Sequence, residues 1–298
     1  MASSVHPLAS SAFSTSGSSG LYDRARPTYP PTALSRIFAA LQSLPSSTNG
    51  LNVVELGAGT GIFSRLLLRP PVDVTTDVQV AKLVAVEPSV GMRDGFRAGM
   101  QKIAVPVGEM GPAGPEVAQV VDGSFDRIPV IDGWADAVII AQAFHWSHGH
   151  YDTALSSIAR VLRPGAPLIL LWNLEDREEA GHPWVGPVRD VYEAHEQGTP
   201  QYRLMLWKAI FDMPEFTENF NMKYEYKRMK WTVPTTDDGV VERVLSKSYI
   251  TALGAGEKEK VESGVRGVLK DTAKTWIDED GGVFEYPYAT DLYIIRRK

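Results

Sequence analysis

The sequence predicts an α/β fold built on a mostly parallel sheet. Short apolar segments alternate with segments of helical periodicity between residues 52 and 172. A glycine-rich turn follows the first apolar segment, and a glutamate ends each of the first two. In a sheet of this kind helices cover both faces, and ligands bind at the carboxyl ends of the strands.

The predicted elements follow one another in regular order. We predict strands at 52–56, 82–87, 116–121, 135–141 and 168–172, and helices at 32–44, 61–68, 91–103 and 151–162. Later in the chain we predict helices at 184–196 and 202–211, a long strand at 222–233, amphipathic helices between 240 and 276, and strands at 283–288 and 291–296. The Gly- and Pro-rich segment 104–118 is expected to be a surface loop.

The predicted domain organisation is one domain with a polar tail. Residues 1–20 are rich in serine and lack the features of a targeting signal, so we expect a disordered tail. Residues 21–298 are expected to form one domain. Within it, residues 174–221 and 236–281 are predicted as insertions that cap a substrate pocket.

The composition favours a small-molecule partner. The 298-residue chain has a net charge of −6, whereas nucleic-acid binding needs a basic face. No apolar run reaches the roughly 18 residues that span a bilayer, so no membrane association is expected. The lack of cysteine excludes disulfides and thiolate metal sites, and it fits a cytoplasmic location. The oligomeric state is left open.

A glycine-rich loop is the first candidate binding motif. Its sequence V-V-E-L-G-A-G-T-G spaces three glycines at alternate positions, Gly57, Gly59 and Gly61. Glycine adopts positive φ and lets a ligand approach the backbone. A dinucleotide fingerprint places its third glycine one residue later, where this chain has Ile62. The spacing disfavours a nicotinamide-dependent oxidoreductase, which remains the alternative enzyme. Glu55, the acidic residue just before the loop, suits a ligand with an ammonium group because its carboxylate carries the opposite charge.

The second strand supplies a second carboxylate at the same edge of the sheet. Glu87 suits the two hydroxyls of a ribose, and its alternative role is to cap a helix. Met92, in the helix that follows, either packs on an adenine or belongs to the core. The polar segment 122–129 follows the third strand and is placed to contact the adenine edge.

The order of these motifs resembles the class I methyltransferase family. The resemblance covers residues 22–173 and rests on Val53–Gly61, Val84–Ser89, Gly123–Pro129, Asp136–Trp146 and Arg160–Asn173. It implies a Rossmann-like fold with a seven-stranded sheet, an antiparallel terminal strand and a helical cap, and S-adenosylmethionine as cofactor. It also implies that the cofactor site is lined by Glu55, Gly57, Gly59, Gly61, Glu87, Ser124, Phe125 and Gln142.

Two further motifs resemble the trans-aconitate methyltransferase-like branch, whose members mostly methylate small molecules. They are Tyr22-x-x-x-Arg26-Pro27-x-Tyr29-Pro30 and Gln142-Ala143-Phe144-His145-Trp146. We expect Tyr22 and Arg26 to fold over the cofactor and Ala143 to lie beside it. Arg26 has two other possible roles, binding of an acidic substrate and a surface salt bridge. Insertions at 70–81 and 104–118 depart from the compact pattern of the family.

His145 and Trp146 are the candidate catalytic residues, because they follow the fourth strand at the predicted methyl-transfer face. His145 acts either as a general base or by shaping the substrate site, and Trp146 either walls the acceptor site or seals the core. A metal site at His145, His148 and His150 is disfavoured, since this is a loop without cysteine.

The sequence therefore predicts an S-adenosylmethionine-dependent methyltransferase that acts on a small molecule. The expected reaction is O-methylation of a carboxylate or a hydroxyl, and only the hydroxyl needs a base. The alternative outside the enzymes is a non-catalytic cofactor-binding partner protein.

Overall fold

A nine-stranded sheet forms the centre of the computed structural model, which describes residues 5–8, 16–44 and 50–298. Its strands are β1 (Leu51–Leu56), β2 (Val80–Val86), β3 (Val107–Gly108), β4 (Ala118–Val121), β5 (Ala137–Ala141), β6 (Pro167–Glu175), β7 (Glu225–Thr235), β8 (Trp276–Asp278) and β9 (Val283–Arg296). Their order is β3-β4-β2-β1-β5-β6-β9-β7, and β8 pairs with β9. Strand β9 runs antiparallel to β6 and β7, whereas β1 to β6 pair in parallel.

Helices cover both faces of this sheet. They are α1 (Ser16–Ala25), α2 (Pro31–Gln42), α3 (Ile62–Leu68), α4 (Val90–Gln101), α5 (Tyr151–Val161), α6 (Val185–Glu193), α7 (Pro214–Asn219), α8 (Asp237–Leu245), α9 (Ser248–Thr251) and α10 (Ala255–Asp271). Successive residues of a strand point to opposite faces. Accordingly, Val54 belongs to the apolar cluster that contains Leu155 of α5, and Val53 belongs to the cluster that contains Ile37 of α2.

The structure confirms the predicted fold class and refines several elements. Two short strands, β3 and β8, extend the expected seven. The two strands predicted at 283–288 and 291–296 form the single strand β9, which pairs with β6 on one side and β7 on the other. The helix predicted at 202–211 is instead two 3₁₀ helices, Tyr202–Leu204 and Leu206–Asp212, because Met205 between them has a φ of +54°.

The first helix corrects the prediction of a disordered tail over residues 1–20. Residues 16–20 form the first half of α1, and Ser19 is buried. The helix packs closely on α4, where a Cβ added to Gly95 would lie 3.2 Å from the Cβ of Ser19. The close approach of Ser19 and Gly95 and the packing of Met92 of α4 against Tyr22 therefore hold α1 on α4. Residues 1–4 and 9–15 of the predicted tail lie outside the described residues.

The two segments predicted as cap insertions pack together beside the parallel part of the sheet. Helices α6, α8 and α10 share an apolar cluster with the first half of β9, which contributes Phe284, Tyr286 and Tyr288. This cluster lies next to Glu175, the last residue of β6, whose carboxylate pairs with Arg243 of α8. In the part of the chain that is described, no helix has the length and apolar character needed to cross a bilayer.

Candidate active site

The glycine loop between β1 and α3 has the backbone conformation that its sequence predicts. Gly57, Gly59 and Gly61 have φ values of +68°, +57° and +77°. A Cβ added to Gly57 would lie 2.5 Å from the Cβ of Ala143. A Cβ added to Gly59 would face open space. Among the described residues, its one neighbour within 4 Å would be the ring of Tyr22, at 4.0 Å. The loop therefore leaves backbone exposed to a ligand at Gly57 and Gly59.

Gly61 has a different role from the other two glycines. It caps the start of α3, and a Cβ at this position would lie 2.8 Å from the ring of Phe96 in α4. It does not line the cavities that the other predicted cofactor residues line. The cofactor contact that the resemblance implies for Gly61 stays a prediction, and in the structure this glycine lets α4 approach the loop.

Glu87 is held under the loop by two backbone N–H groups. Its Oε2 accepts a hydrogen bond from Gly59 at 3.0 Å, and its Oε1 accepts one from Ser89 at 2.9 Å. Burial raises the pKa of Glu87, and the two backbone hydrogen bonds oppose that shift. Each carboxylate oxygen has a second lone pair, so the group can still accept from the hydroxyls of a ribose.

Glu55 lies at the other end of the loop, in a small cavity with Gly57, Gly59 and Gln142. Its carboxyl group is buried and accepts a hydrogen bond from the hydroxyl of Ser64. Burial raises the pKa of Glu55 to about 8. An ammonium group in this cavity would stabilise the ionised carboxylate, as the sequence predicted for the methionine end of the cofactor.

Tyr22 and Arg26 lie over the same cavity. The guanidinium of Arg26 stacks on the ring of Tyr22 at 4.6 Å and donates through Nη2 to the carbonyl of Ser246 at 2.9 Å. The Nε of Arg26 is buried and has no hydrogen-bond partner within the described part of the chain. Arg26 is half-buried and forms no salt bridge among the described residues, so its buried Nε is left as a donor for an anionic group.

A mostly apolar cavity of about 60 Å³ adjoins the other side of the loop. It is lined by Val5, His6, Gly57, Val86, Glu87, Pro88, Ser124, Phe125, Ala143 and Trp146. The hydroxyl of Ser124 donates to Asp126 at 2.5 Å, and its N–H donates to the carbonyl of Arg127, so Ser124 closes the loop on itself. Met92 is buried against Leu8 and Tyr22.

The segment after β5 turns sharply at the edge of the sheet. Gln142 has a φ of +61°, and its side chain donates to the carbonyl of Asn173 at 2.9 Å. The following 3₁₀ helix, Phe144–Ser147, places the imidazole of His145 5.2 Å from the indole of Trp146. Trp146 is half-buried, and its other neighbour is the ring of His6, also at 5.2 Å. Both predicted catalytic residues thus line the same cavity as the cofactor residues.

His145 is buried and engaged at one ring nitrogen. Its Nδ1 lies 3.2 Å from the indole Nε1 of Trp172, which can only donate. Burial, followed by the charge of Arg26, lowers the pKa of His145 to about 3. A neutral ring that already accepts through Nδ1 carries its proton on Nε2. This geometry disfavours the general base and favours the alternative role, in which His145 shapes the substrate site.

A cavity of about 140 Å³ joins these residues to the cap. From Gly57, Glu87 and Ala143 it extends to Tyr192 and Tyr202. The other aromatic residues of residues 174–221 are not cavity walls: Trp184, Trp207, Phe216 and Phe220 are fully buried in the core. The segments predicted as a cap therefore line one side of a cavity beside the glycine loop.

Three charged residues at the cap end of this cavity were missed by sequence reasoning. The Oε1 of Glu175 lies 2.7 Å from Nη2 of Arg243 and 3.1 Å from Nζ of Lys247. Two signals were present. Glu175 ends an apolar strand, as Glu55 and Glu87 do, and Arg243 lies at helical spacing among the buried valines of α8. A cation within an apolar stripe is buried with a partner or serves a site.

The chain belongs to the methyltransferase family. A family model described as a methyltransferase domain matches residues 54–170. The chain is 30% identical over 250 residues to an uncharacterised methyltransferase of Mycobacterium tuberculosis, covering 84% of this chain and 83% of the relative. It is 26% identical, over the same shares, to an uncharacterised methyltransferase-like protein of Schizosaccharomyces pombe. The YcgJ protein of Bacillus subtilis has the same fold, with a TM-score of 0.51 at 16% identity, covering 90% of this chain and 99% of that one.

Family membership confirms the predicted enzyme class and the predicted cofactor, S-adenosylmethionine. The nicotinamide-dependent alternative is therefore set aside. The residues present fit the cofactor: two glycines expose the backbone, a buried carboxyl lies at each end of the loop, and a buried guanidinium nitrogen lacks a partner within the described residues.

Proposed function

We propose that this protein transfers a methyl group to a small molecule, and that the methylated atom is a carboxylate or hydroxyl oxygen. The observation that carries the proposal is the cavity that extends from the glycine loop to Tyr192 and Tyr202 beneath the cap. A space enclosed by the protein's own segments suits a small acceptor better than a macromolecule.

The cofactor residues divide by the part of S-adenosylmethionine that each would hold. Glu55 and Arg26 lie at the methionine end, where the carboxyl group suits the ammonium and the guanidinium suits the carboxylate. Glu87 suits the ribose hydroxyls. The adenine would lie in the apolar cavity beside Ser124 and Phe125, with Met92 contacting it from the adjoining cavity. Gln142 and Ala143 would lie next to the sulfur.

The reaction needs little acid–base catalysis from the protein. S-adenosylmethionine supplies a methyl group already activated on a sulfonium, so the chain must hold the acceptor in line with it. Trp146 and the Nε2–H of His145 would orient the acceptor, and the position of both residues in the cavity wall supports this role. Because His145 does not suit a base, a carboxylate acceptor, which needs none, is favoured over a hydroxyl.

The finer family assignment is also part of this proposal. The Tyr22–Pro30 and Gln142–Trp146 motifs support membership of the trans-aconitate methyltransferase-like branch. The cavity supports the role of a substrate cap for residues 174–221 and 236–281. Tyr192 and Tyr202 come from the first segment, and Arg243 and Lys247 come from the second. The net charge and the lack of cysteine support a small-molecule partner and a cytoplasmic location.

Product mass tests the proposal directly. The protein is incubated with S-adenosylmethionine that carries a deuterated methyl group and with a panel of small carboxylic acids, hydroxy acids, phenols and amines. We expect a labelled product from an acid, and mild alkali should release the label because it hydrolyses an ester and leaves an ether intact. Binding of S-adenosylhomocysteine but not NAD, measured by calorimetry, is the accompanying control.

Two outcomes contradict the proposal. One is labelling of nucleic acid or protein with none of the small acceptors. The other is tight binding of S-adenosylhomocysteine without labelling of any acceptor, which would instead support a non-catalytic cofactor-binding partner protein.

A further inference from the structure

The cap end of the cavity holds more positive charge than its own carboxylate balances. Glu175 is the acid that pairs with both Arg243 and Lys247, and all three side chains are at least nine-tenths buried. Lys247 also lies 4.0 Å above the ring of Tyr192. One carboxylate therefore faces two cationic side chains in a space removed from water, which leaves an excess positive charge whenever Lys247 is protonated.

The hydrogen-bond donors of Arg243 point to the same imbalance. Its Nη2 is paired with Glu175, and the hydroxyl of Tyr288 lies near the guanidinium. Its Nε and Nη1 are nevertheless buried without a hydrogen bond of good geometry in the described part of the chain. Buried donors of a charged group are normally satisfied, and those left over at a site call for a partner. Arg243 lines the cavity, so a ligand in the cavity is the natural source of that partner.

The nearby acids do not supply the missing charge. Glu193 pairs with Arg189 at 2.6 Å, and Glu196 pairs with Arg203. Arg189 also donates to the backbone carbonyl of Glu175 at 2.8 Å, so it does not depend on the carboxylate of that residue. The excess charge thus remains at Arg243 and Lys247.

We propose that Arg243 and Lys247 form a binding site for a carboxylate of the acceptor, distinct from the atom that is methylated. This inference rests on the proposed function, because it concerns the acceptor side of the same cavity. An oxygen held in charge-assisted hydrogen bonds by a guanidinium and an ammonium is a poor nucleophile, since its lone pairs are engaged. The carboxylate at this site therefore anchors the molecule, and a second oxygen of the acceptor is presented to the methyl group.

The chemistry of the site defines the acceptor class. It is a small acid with at least two oxygen functions, a dicarboxylate or a hydroxy acid. Arg26 lines the same cavity, but its charge is assigned above to the carboxylate of the cofactor. With the cofactor bound, Glu175 limits the excess at Arg243 and Lys247 to a single charge, which matches a carboxylate better than a doubly charged phosphate. Arg243 and Lys247 are thus specificity-determining residues.

Binding to a simple dicarboxylate tests the site without depending on methyl transfer. The probes are succinate, its neutral diamide and inorganic phosphate, each titrated calorimetrically into the full chain saturated with S-adenosylhomocysteine. We expect succinate to bind at least about tenfold more tightly than the diamide or phosphate. Equal binding of succinate and the diamide overturns the proposal, and tighter binding of phosphate overturns the carboxylate assignment.

Variants separate recognition from a structural role. Arg243→Met and Lys247→Met should each weaken succinate binding about tenfold or more, whereas Arg266→Gln, at an exposed arginine paired with Glu262, should not change it. Glu175→Gln removes the competing carboxylate but also the support that Glu175 gives to the Lys247 ammonium. At pH 6, where that support matters least, the variant should tighten succinate binding, even if it lowers Tm. If Arg243→Met does not fold, Arg243→Lys and Glu175→Gln carry the test. Weaker binding in Glu175→Gln overturns the proposal.

The outcome for methyl transfer is independent. If succinate binds as expected and no acid is methylated, the proposed function fails and the anion site stands. If neutral acceptors are methylated and succinate does not bind, the anion site fails and the methyltransferase remains.

Discussion

Trp172 donates a hydrogen bond of 3.2 Å from its indole Nε1 to the Nδ1 of His145, beneath the predicted methyl-transfer face. Trp172 is fully buried and stacks on Tyr202 at 4.5 Å, so the direction of this bond is fixed by packing. An indole has no acceptor, and His145 must therefore present an N–H through Nε2 to its other side. The residue that sequence reasoning offered as a base is a hydrogen-bond donor here.

The first prediction concerns turnover in His145 variants. His145→Gln keeps an N–H donor and should retain turnover within about threefold, whereas removal of a true general base costs about 10²–10⁴-fold. His145→Ala should lower kcat more than it lowers the affinity for S-adenosylhomocysteine. The measurements are kcat against pH and calorimetric binding. A hundredfold loss of kcat in His145→Gln, together with a fall of the wild-type kcat below about pH 6.5, would instead support His145 as a general base.

The same histidine gives a second prediction, on acid stability. Its pKa is about 3 in the folded protein, whereas an exposed histidine in the unfolded chain has the ordinary value of 6.5. Between pH 3 and pH 6.5 the unfolded chain therefore binds more protons than the folded protein does. The free energy of unfolding therefore falls as the pH drops below 6.5, by up to about 1.4 kcal/mol per pH unit from this residue. Urea unfolding at pH 6.5 and pH 5 should show a smaller loss for His145→Gln than for the wild type. Equal losses would contradict the burial of a neutral ring.

A third prediction uses two glycines with similar backbone angles and different surroundings. Gly57 and Gly133 have φ values of +68° and +62°. A Cβ at Gly57 would clash with Ala143, whereas a Cβ at Gly133 would meet no described atom within 4 Å. Gly133→Ala should cost about 1 kcal/mol of unfolding free energy from backbone strain alone, and Gly57→Ala should cost clearly more.

Rescue separates the clash from the strain in that comparison. Ala143→Gly removes the atom that a Cβ at Gly57 would meet. The double variant Gly57→Ala, Ala143→Gly should therefore recover part of the stability lost in Gly57→Ala, although the strain at φ of +68° remains. Additive losses in the double variant would show that the two residues are not in contact.

Sequence reasoning reached the cofactor half of the site because its signals are local. Positive-φ glycines and carboxylates that end buried strands are visible in short stretches of sequence, and the structure gathers Glu55, Gly57 and Glu87 around one loop. The packing of Gly61 against the ring of Phe96 was not visible in the same way, because Phe96 belongs to a helix about 35 residues further along the chain. The spacing alone does not distinguish a ligand contact from helix packing.

The acceptor half depended on contacts between distant segments. Glu175 and Lys247 are 72 residues apart in the sequence and lie in contact. The indole that hydrogen-bonds to His145 is that of Trp172 in β6, whereas His145 follows β5. Among the aromatic residues of this region, Tyr192 and Tyr202 line the cavity, whereas Trp184, Trp207, Phe216 and Phe220 fill the core. In a cap without a repeated motif, an apolar pattern shows which residues are buried and does not show which of them face a cavity.

A fourth prediction concerns the ribose carboxylate. Both oxygens of Glu87 accept backbone N–H groups, and a ribose would add hydrogen bonds to the same charged group. Glu87→Gln should weaken binding of S-adenosylhomocysteine by about 1.5–3 kcal/mol, roughly 10- to 150-fold, because it converts an acceptor into a donor. Calorimetry measures this, with the exposed Glu257→Gln as control. Unchanged affinity would leave Glu87 only its role of holding Gly59 and Ser89.

The fifth prediction is a pH dependence of acceptor binding. Burial, and then the charge of Arg243, lowers the pKa of Lys247 to about 7, against the opposing effect of Glu175. The groups that face its ammonium are Glu175 at the end of β6, Arg243 of α8, Arg26 and the ring of Tyr192 on α6. An anion favours the protonated lysine, so succinate affinity should fall as the pH rises from 6 to 9, and binding at pH 8 should take up a proton. Calorimetry at pH 8 in two buffers of different ionisation enthalpy measures that uptake. Lys247→Met should abolish the uptake, whereas Lys260→Met, at an exposed lysine, should leave it intact. Proton uptake that persists in Lys247→Met would assign the titration to another group and remove the ammonium from the carboxylate site.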